Sequence, residues 1–240
     1  MQGLFDVTNF IKCLPEVLSR LPLTFSIAVL SFVIGNMIGF FVALARIYRI
    51  PILRNICGIY VSFVRGTPLV VQLFLANYGI ARVIYYLQMN TERFANLNAN
   101  AVSAEMLGLI AFSINLGAYT SETIRSAIEA VPNGQFEAAK SIGMTTRQMM
   151  LRIIIPQAIR SAVPNLTNVM INTMKDTSLL FTIGIIDMMG QAKIFGARTL
   201  KLIEVYVAVA LIYWIICIVM VRVFSVIEKK SKVYSKAITQ

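Results

Sequence analysis

Residues 21–45, LPLTFSIAVLSFVIGNMIGFFVALA, run for 25 positions without a charged side chain. As a helix at 1.5 Å per residue they reach about 37 Å, enough to cross the hydrocarbon core of a bilayer with some tilt. The composition agrees, because hydrophobic residues fill 58% of 240 positions and charged ones 14%, outside the usual balance of a soluble domain.

Further spans read less cleanly. Asn55 to Ala81 holds Arg65 as its only charge; the apolar run from Leu107 is broken by Glu122, the run from Ser161 by Lys175 and Asp176, and Val205 to Val221 has none. The expectation is an all-α membrane protein with about five transmembrane helices. The opening residues, MQGLFDVTNFIKCLPE, contain acids and lack the short apolar core beside a basic start that marks a cleaved signal, so the first span is expected to stay in the mature chain. No low-complexity segment, Ser/Gly linker or short-period repeat divides residues 1–240, which read as one domain.

Five spans put the termini on opposite sides, and lysines and arginines choose the orientation. With the amino terminus outside, the inner segments hold Arg46, Arg49, Arg54, Arg125, Lys140, Arg147, Arg152, Arg160, Arg222, Lys229, Lys230, Lys232 and Lys236, thirteen in all. The outer segments hold Lys12, Arg20, Arg82, Arg93, Lys193, Arg198 and Lys201, which is seven. An external amino terminus and a cytoplasmic carboxyl terminus are expected.

On the inner side lies GQFEAAKSIGMTTRQMMLRIIIPQAI, residues 134–159. Gln135 to Ile142 are good helix formers, and Gly143 stands where a left-handed cap would fall. Thr145 with Gln148 fits a capping box that starts a second helix. Pro156 lacks an amide hydrogen and is expected to stop or kink that helix near Ile155. A glycine-hinged helix pair in a chain of net charge +11 invites comparison with a DNA-reading helix-turn-helix. Met149, Met150, Ile153 and Ile154 make the second helix too apolar for a groove, and the charge follows topology. The pair suits a partner's cleft, where Ala138 and Ala139 would permit close approach, or an interfacial loop tucked against its own bundle.

Gly134-Gln135, Glu137-Ala138-Ala139, Gly143 and Ile155-Pro156-Gln157-Ala158 resemble the EAA loop of binding-protein-dependent ABC importers, specifically the permease subunit of the polar amino-acid uptake family. Arg65-Gly66-Thr67-Pro68-Leu69, Gly117-Ala118-Tyr119, Glu122-Thr123-Ile124-Arg125 and Lys175-Asp176-Thr177-Ser178-Leu179 look like that family's other signatures, in the same order, over a core of about residues 20–226. Phe136 departs from a tryptophan that many members carry, and the polar external segment Gln88 to Ser103 matches no one substrate group. The resemblance implies a type I ABC importer transmembrane-domain fold. It implies that the loop at about 134–157 is a coupling helix docked on an ATP-hydrolysing subunit, with Gly134, Glu137, Ala138, Ala139 and Gly143 in that contact. It further implies two such ATPase subunits, an extracytoplasmic solute-binding protein, a second identical or similar permease, and an amino-acid substrate.

Other chemistry is disfavoured. No Gly-Lys pair exists, so no phosphate-cradling loop is present; ATP and Mg are expected on the partner subunit, with no cofactor and no metal on this chain. There is no histidine, the commonest general base, and a transporter subunit rather than an enzyme is expected. Cys13, Cys57 and Cys217 are scattered, as packing residues would be.

Charges inside spans cost about 2.5 to 3.5 kcal/mol each on insertion scales, so they face a cavity or pair with one another. Arg65, Thr67, Glu122, Lys175 and Asp176 are the expected residues of a substrate path. Arg65 and Glu122 either pair with each other or contact solute, the arginine taking a carboxylate and the glutamate an ammonium. Lys175 and Asp176 fall near mid-depth if Pro164 starts the membrane part of their span; Thr177, Ser178 and Gly184 make a broken helix plausible there. They either satisfy one another or mark a site or gate. A secondary transporter or channel without ATP is the alternative, and would predict inverted repeats that the sequence does not display.

Overall fold

The structure, a computed structural model, describes residues 5–90 and 102–236; the polar segment Gln88 to Ser103, expected outside, lies largely beyond the described residues. Helix α1 (Val7–Leu18) starts on Asp6, whose carboxylate accepts from the Asn9 amide at 3.0 Å, and buries Cys13 and Val17. Burial and the Glu16 carboxylate both push the Cys13 thiol up, consistent with an inert packing residue. After a two-residue turn, α2 (Leu21–Ile47) carries the charge-free stretch.

The second expected span is helical but not continuous. Helix α3 (Leu53–Gly66) ends at Thr67, φ −120° and ψ 145°, and Pro68, φ −64° and ψ 139°, before α4 (Leu69–Phe74) begins. Pro68 has no amide hydrogen and drives the residue before it out of helical geometry, so a span read straight through the apolar run is interrupted after about 21 Å of helix. A π-helical turn, Leu75–Gly79, leads into α5 (Ile80–Asn90).

Helix α6 (Ala104–Glu129), capped by Ser103, packs along α2. The two backbones approach through small residues: a Cβ added at Gly35 of α2 would stand 2.5 Å from Leu116 Cβ, and one at Gly117 of α6 would stand 2.6 Å from Ile38 Cγ2. Small residues four apart are the usual means of close approach in membranes. Thr120 Oγ1 crosses to the Gly35 carbonyl at 3.1 Å.

Helices α7 (Asn133–Ser141) and α8 (Thr146–Met149) follow. Of the two outcomes expected at Pro156, a stop or a kink near Ile155, the helix does not stop but changes its winding just before the proline. A π-helical turn, Met150–Ile154, hands over to α9 (Ile155–Asp176), and Pro156 occupies its first turn, where an amide hydrogen has no intrahelical partner. Pro164 sits inside α9. After Asp176 the helix tightens to a 3₁₀ stretch, Thr177–Ile183, closed by Gly184 at φ +86°. Helices α10 (Met188–Thr199) and α11 (Leu202–Lys236) complete the fold.

By length and composition, three helical stretches among the described residues can cross a membrane: Leu21–Ile47, Leu69–Asn90 and Leu202–Val226. A fourth is added if Thr146–Ile183 and Met188–Thr199, bent by 54°, form one broken span. The 26-residue α6, the remaining expected crossing, is about 39 Å long, but Asn115, Thr120, Ser121 and Glu122 make it less apolar. Thr120 and Ser121 are fully buried, turned into protein instead of lipid.

Candidate functional site

The break between α3 and α4 frees backbone carbonyls where no helix can use them. Gln72, on the next turn, answers them: its Nε2 donates to Val64 O at 2.8 Å, to Thr67 O at 3.1 Å and to Thr67 Oγ1 at 2.9 Å. Its Oε1 accepts from Asn115 Nδ2 of α6 at 3.0 Å. The broken strut is thereby tied to α6. Between them and α9 opens a cleft of about 410 Å³ lined by Thr67, Asn115, Tyr119, Asn172, Thr173 and Asp176 among others, within the range of small-molecule sites.

Expected path residues divide accordingly. Thr67 and Asp176, more than a hundred positions apart, meet in this cleft. Arg65 stands beside it, its guanidinium 5.5 Å from the ring centroid of Tyr119. Lys175 does not line the cleft, and among the described residues no ion pair joins it to Asp176. Neighbours in a helix point about 100° apart, which explains the divergence.

Of the two alternatives for Arg65 and Glu122, a mutual ion pair or contact with solute, the ion pair does not form. Glu122 accepts from Arg46 of α2 through Oε1 and from Arg125 through Oε2, at 3.0 Å from Nε and 2.8 Å from Nη2. Arg125 also reaches Glu129 at 2.6 Å. Glu122 is three positions beyond Tyr119 on α6, toward the α2–α3 turn, so two closer guanidinium groups claim its carboxylate. It holds together the end of the bundle that carries α7 and α8.

In the α7–α8 pair the local grammar holds. Gly143 adopts φ +76°, the Met144 amide bonds Ala139 O at 3.1 Å, and Gly143 bonds Lys140 O at 3.0 Å. That is a glycine-closed helix end of the Schellman kind. Thr145 and Gln148 form both bonds of the capping box. The two alanines part company: Ala139 is buried with Met149, Met150 and Ile154, whereas Ala138 is exposed. Ala139 therefore supports the loop from within instead of facing outward. The outward face presents Gly134, Glu137, Ala138 and Ile142, the last 76% exposed.

Gln72 and Asn115 were missed in the sequence; a glutamine four residues after a proline in an apolar run was the available signal. Asp187 was missed too. It is fully buried and caps α10 through the Gly190 amide at 2.8 Å, with the Tyr213 hydroxyl turned toward its carboxylate.

Residues 35–233 match the family described as binding-protein-dependent transport system inner membrane component. The chain is 35% identical to the L-cystine transport system permease protein TcyL of Bacillus subtilis (strain 168), over 97% of this chain and 94% of the relative. It is 36% identical to the probable amino-acid ABC transporter permease protein PatM of Vibrio harveyi, over 91% and 93%. A crystal structure of an amino acid ABC transporter with histidines superposes with a TM-score of 0.79 at 33% identity, covering 95% of this chain and all of the other. With a family match over most of its length and relatives of about one-third identity or more along nearly all of it, the chain belongs to the binding-protein-dependent transport system inner membrane components.

Proposed function

We propose that this chain is the permease subunit of an ATP-driven importer for a polar amino acid or close derivative. The reading is carried by the outward face of α7, where Gly134, Glu137 and Ala138 are exposed beside a hinge held by Gly143. Two ATPase subunits, which supply ATP and Mg, seat there; ATP-driven closure moves α6 and α9, whose ends are packed on the pair. A solute-binding protein delivers the amino acid on the far side, and a second permease completes the path. The cleft between Thr67, Tyr119 and Asp176 is where the solute passes, with Arg65 beside it for the carboxylate. Names of relatives support the substrate class. In this scheme residues 1–240 act as one transmembrane domain with the amino terminus outside.

The test is to separate hydrolysis from transport. A β-branched residue is poorly accommodated at φ +76°, while the space around a Cβ there is open. Gly143→Val should insert and dimerise normally, lose most uptake, and either shed the ATPase or hydrolyse ATP without responding to loaded binding protein. Glu137→Lys should act likewise but less severely. Full uptake and unchanged stimulation in both variants would sink the coupling role, and uptake without the ATPase would favour a secondary transporter.

A further inference from the structure

We propose that Gln72 is a positioning residue that sets the polarity of the cleft, holding the Asn115 amide with its oxygen toward the solute so that an ammonium group is received by Asn115 Oδ1 and Asp176. The proposal rests on the cleft being the solute path. Its logic is a chain of donors and acceptors. Backbone carbonyls can only accept, and Thr67 Oγ1 spends its proton on Phe63 O at 2.9 Å. The Gln72 nitrogen must therefore face Val64 O, Thr67 O and Thr67 Oγ1, as it does at 2.8, 3.1 and 2.9 Å. Turned over, its oxygen would meet three acceptors.

With that nitrogen fixed, Gln72 Oε1 faces α6 and demands a donor, which Asn115 Nδ2 supplies at 3.0 Å. Asn115 then has no freedom to flip. Its residue is 8% exposed, it lines the cleft, and among the described residues no donor meets its Oδ1. An acceptor that the protein leaves open to a cavity is free to take a donor from the ligand in exchange for water. Asp176 adds a carboxylate to the same wall. Backbone geometry at a proline break is thus translated, through two side-chain amides, into a preference for the ammonium end of an amino acid.

Polarity can be read without a known solute. In the assembled complex lacking Cys13, Cys57 and Cys217, Asn172→Cys places a thiol in the cleft. Its rates with a cationic trimethylammonium-ethyl and an anionic sulfonato-ethyl methanethiosulfonate are compared, each divided by the rate with free cysteine. The cationic reagent should be favoured roughly tenfold or more, and Gln72→Leu should cut that ratio roughly threefold by freeing the amide to turn. Asn115→Leu, which leaves the break intact, should lower the ratio similarly, and adding Gln72→Leu to it should change nothing further. A ratio untouched by Gln72→Leu in a monodisperse complex overturns the proposal. So does a ratio raised by Asn115→Leu, which is the informative result if Gln72→Leu fails to assemble. Normal uptake after the thiol is modified would instead remove the cleft from the solute path while leaving the polarity relay standing.

Discussion

Glu122 answers two arginines from different helices, whereas Arg65 lies against an aromatic ring, so their substitutions should behave differently. Neutralising Glu122 leaves Arg46 and Arg125 facing each other at the end of the bundle without their shared counter-charge. The side chains are only about one-fifth exposed at Glu122 and Arg46, so water cannot fully replace the carboxylate. We expect Glu122→Leu to cost about 1 to 3 kcal/mol of stability, and Arg65→Leu less than about 1. Because the two residues share no partner, their costs should add in the double variant to within about 0.5 kcal/mol. Arg46→Leu with Glu122→Leu should fall well short of additive. Thermal unfolding in detergent followed by size-exclusion yield measures each cycle, and strong coupling between Arg65 and Glu122 would restore the pairing that the sequence suggested. The charged positions were legible because a charge in an apolar run must be explained. Their partners were not, because Arg46 is 76 positions from Glu122 and nothing in a linear reading ranks it above Arg65.

Helices carry the same contrast between what is local and what is not. The Gly143 cap and the Thr145–Gln148 box were read correctly since every atom they need lies within a few residues. Pro68 was visible but was overridden by the hydropathy of its flanks, and Gln72, which makes the break tolerable, acts through side-chain geometry that no periodicity reports. Glycines show how far element packing escapes the sequence: Gly39 and Gly58 look alike in their strings, yet a Cβ at Gly39 would collide with Thr120 Oγ1 and stand 2.8 Å from the Ser121 amide, while nothing lies within 4 Å of one at Gly58. Gly39→Ala should push α2 off α6 and weaken the Thr120 bond to Gly35, costing roughly 1 to 3 kcal/mol. Gly58→Ala should be neutral or stabilise by up to about 1 kcal/mol, as alanine does in a helix. Equal melting temperatures for the two variants would show that the close approach of α2 and α6 contributes little.

Across the whole molecule, orientation follows from charge that the fold distributes unevenly. Arg46, Arg49 and Arg54 crowd the turn between α2 and α3, Arg125 joins them, and α7 and α8 add Lys140 and Arg147 at the same end. Arg198 and Lys201 flank the opposite connection between α10 and α11, where Arg198 is drawn to Glu16 at 3.3 Å. Basic residues are held back on the cytoplasmic side during insertion because moving them through the bilayer is costly, so the α2–α3 end is expected inside. Two exposed positions report the two ends: Tyr48 at the close of α2, 47% exposed, and Leu200 between α10 and α11, 85% exposed. Leu200 has φ +56°, which a cysteine tolerates no worse than leucine. In a chain without native cysteines, Leu200→Cys should react with a membrane-impermeant maleimide in intact cells. Tyr48→Cys should react only after the membrane is opened. The reverse pattern would invert the molecule, placing the glycine-hinged pair outside, where no ATPase could reach it, and the coupling role of Glu137 and Gly143 would fall with the orientation.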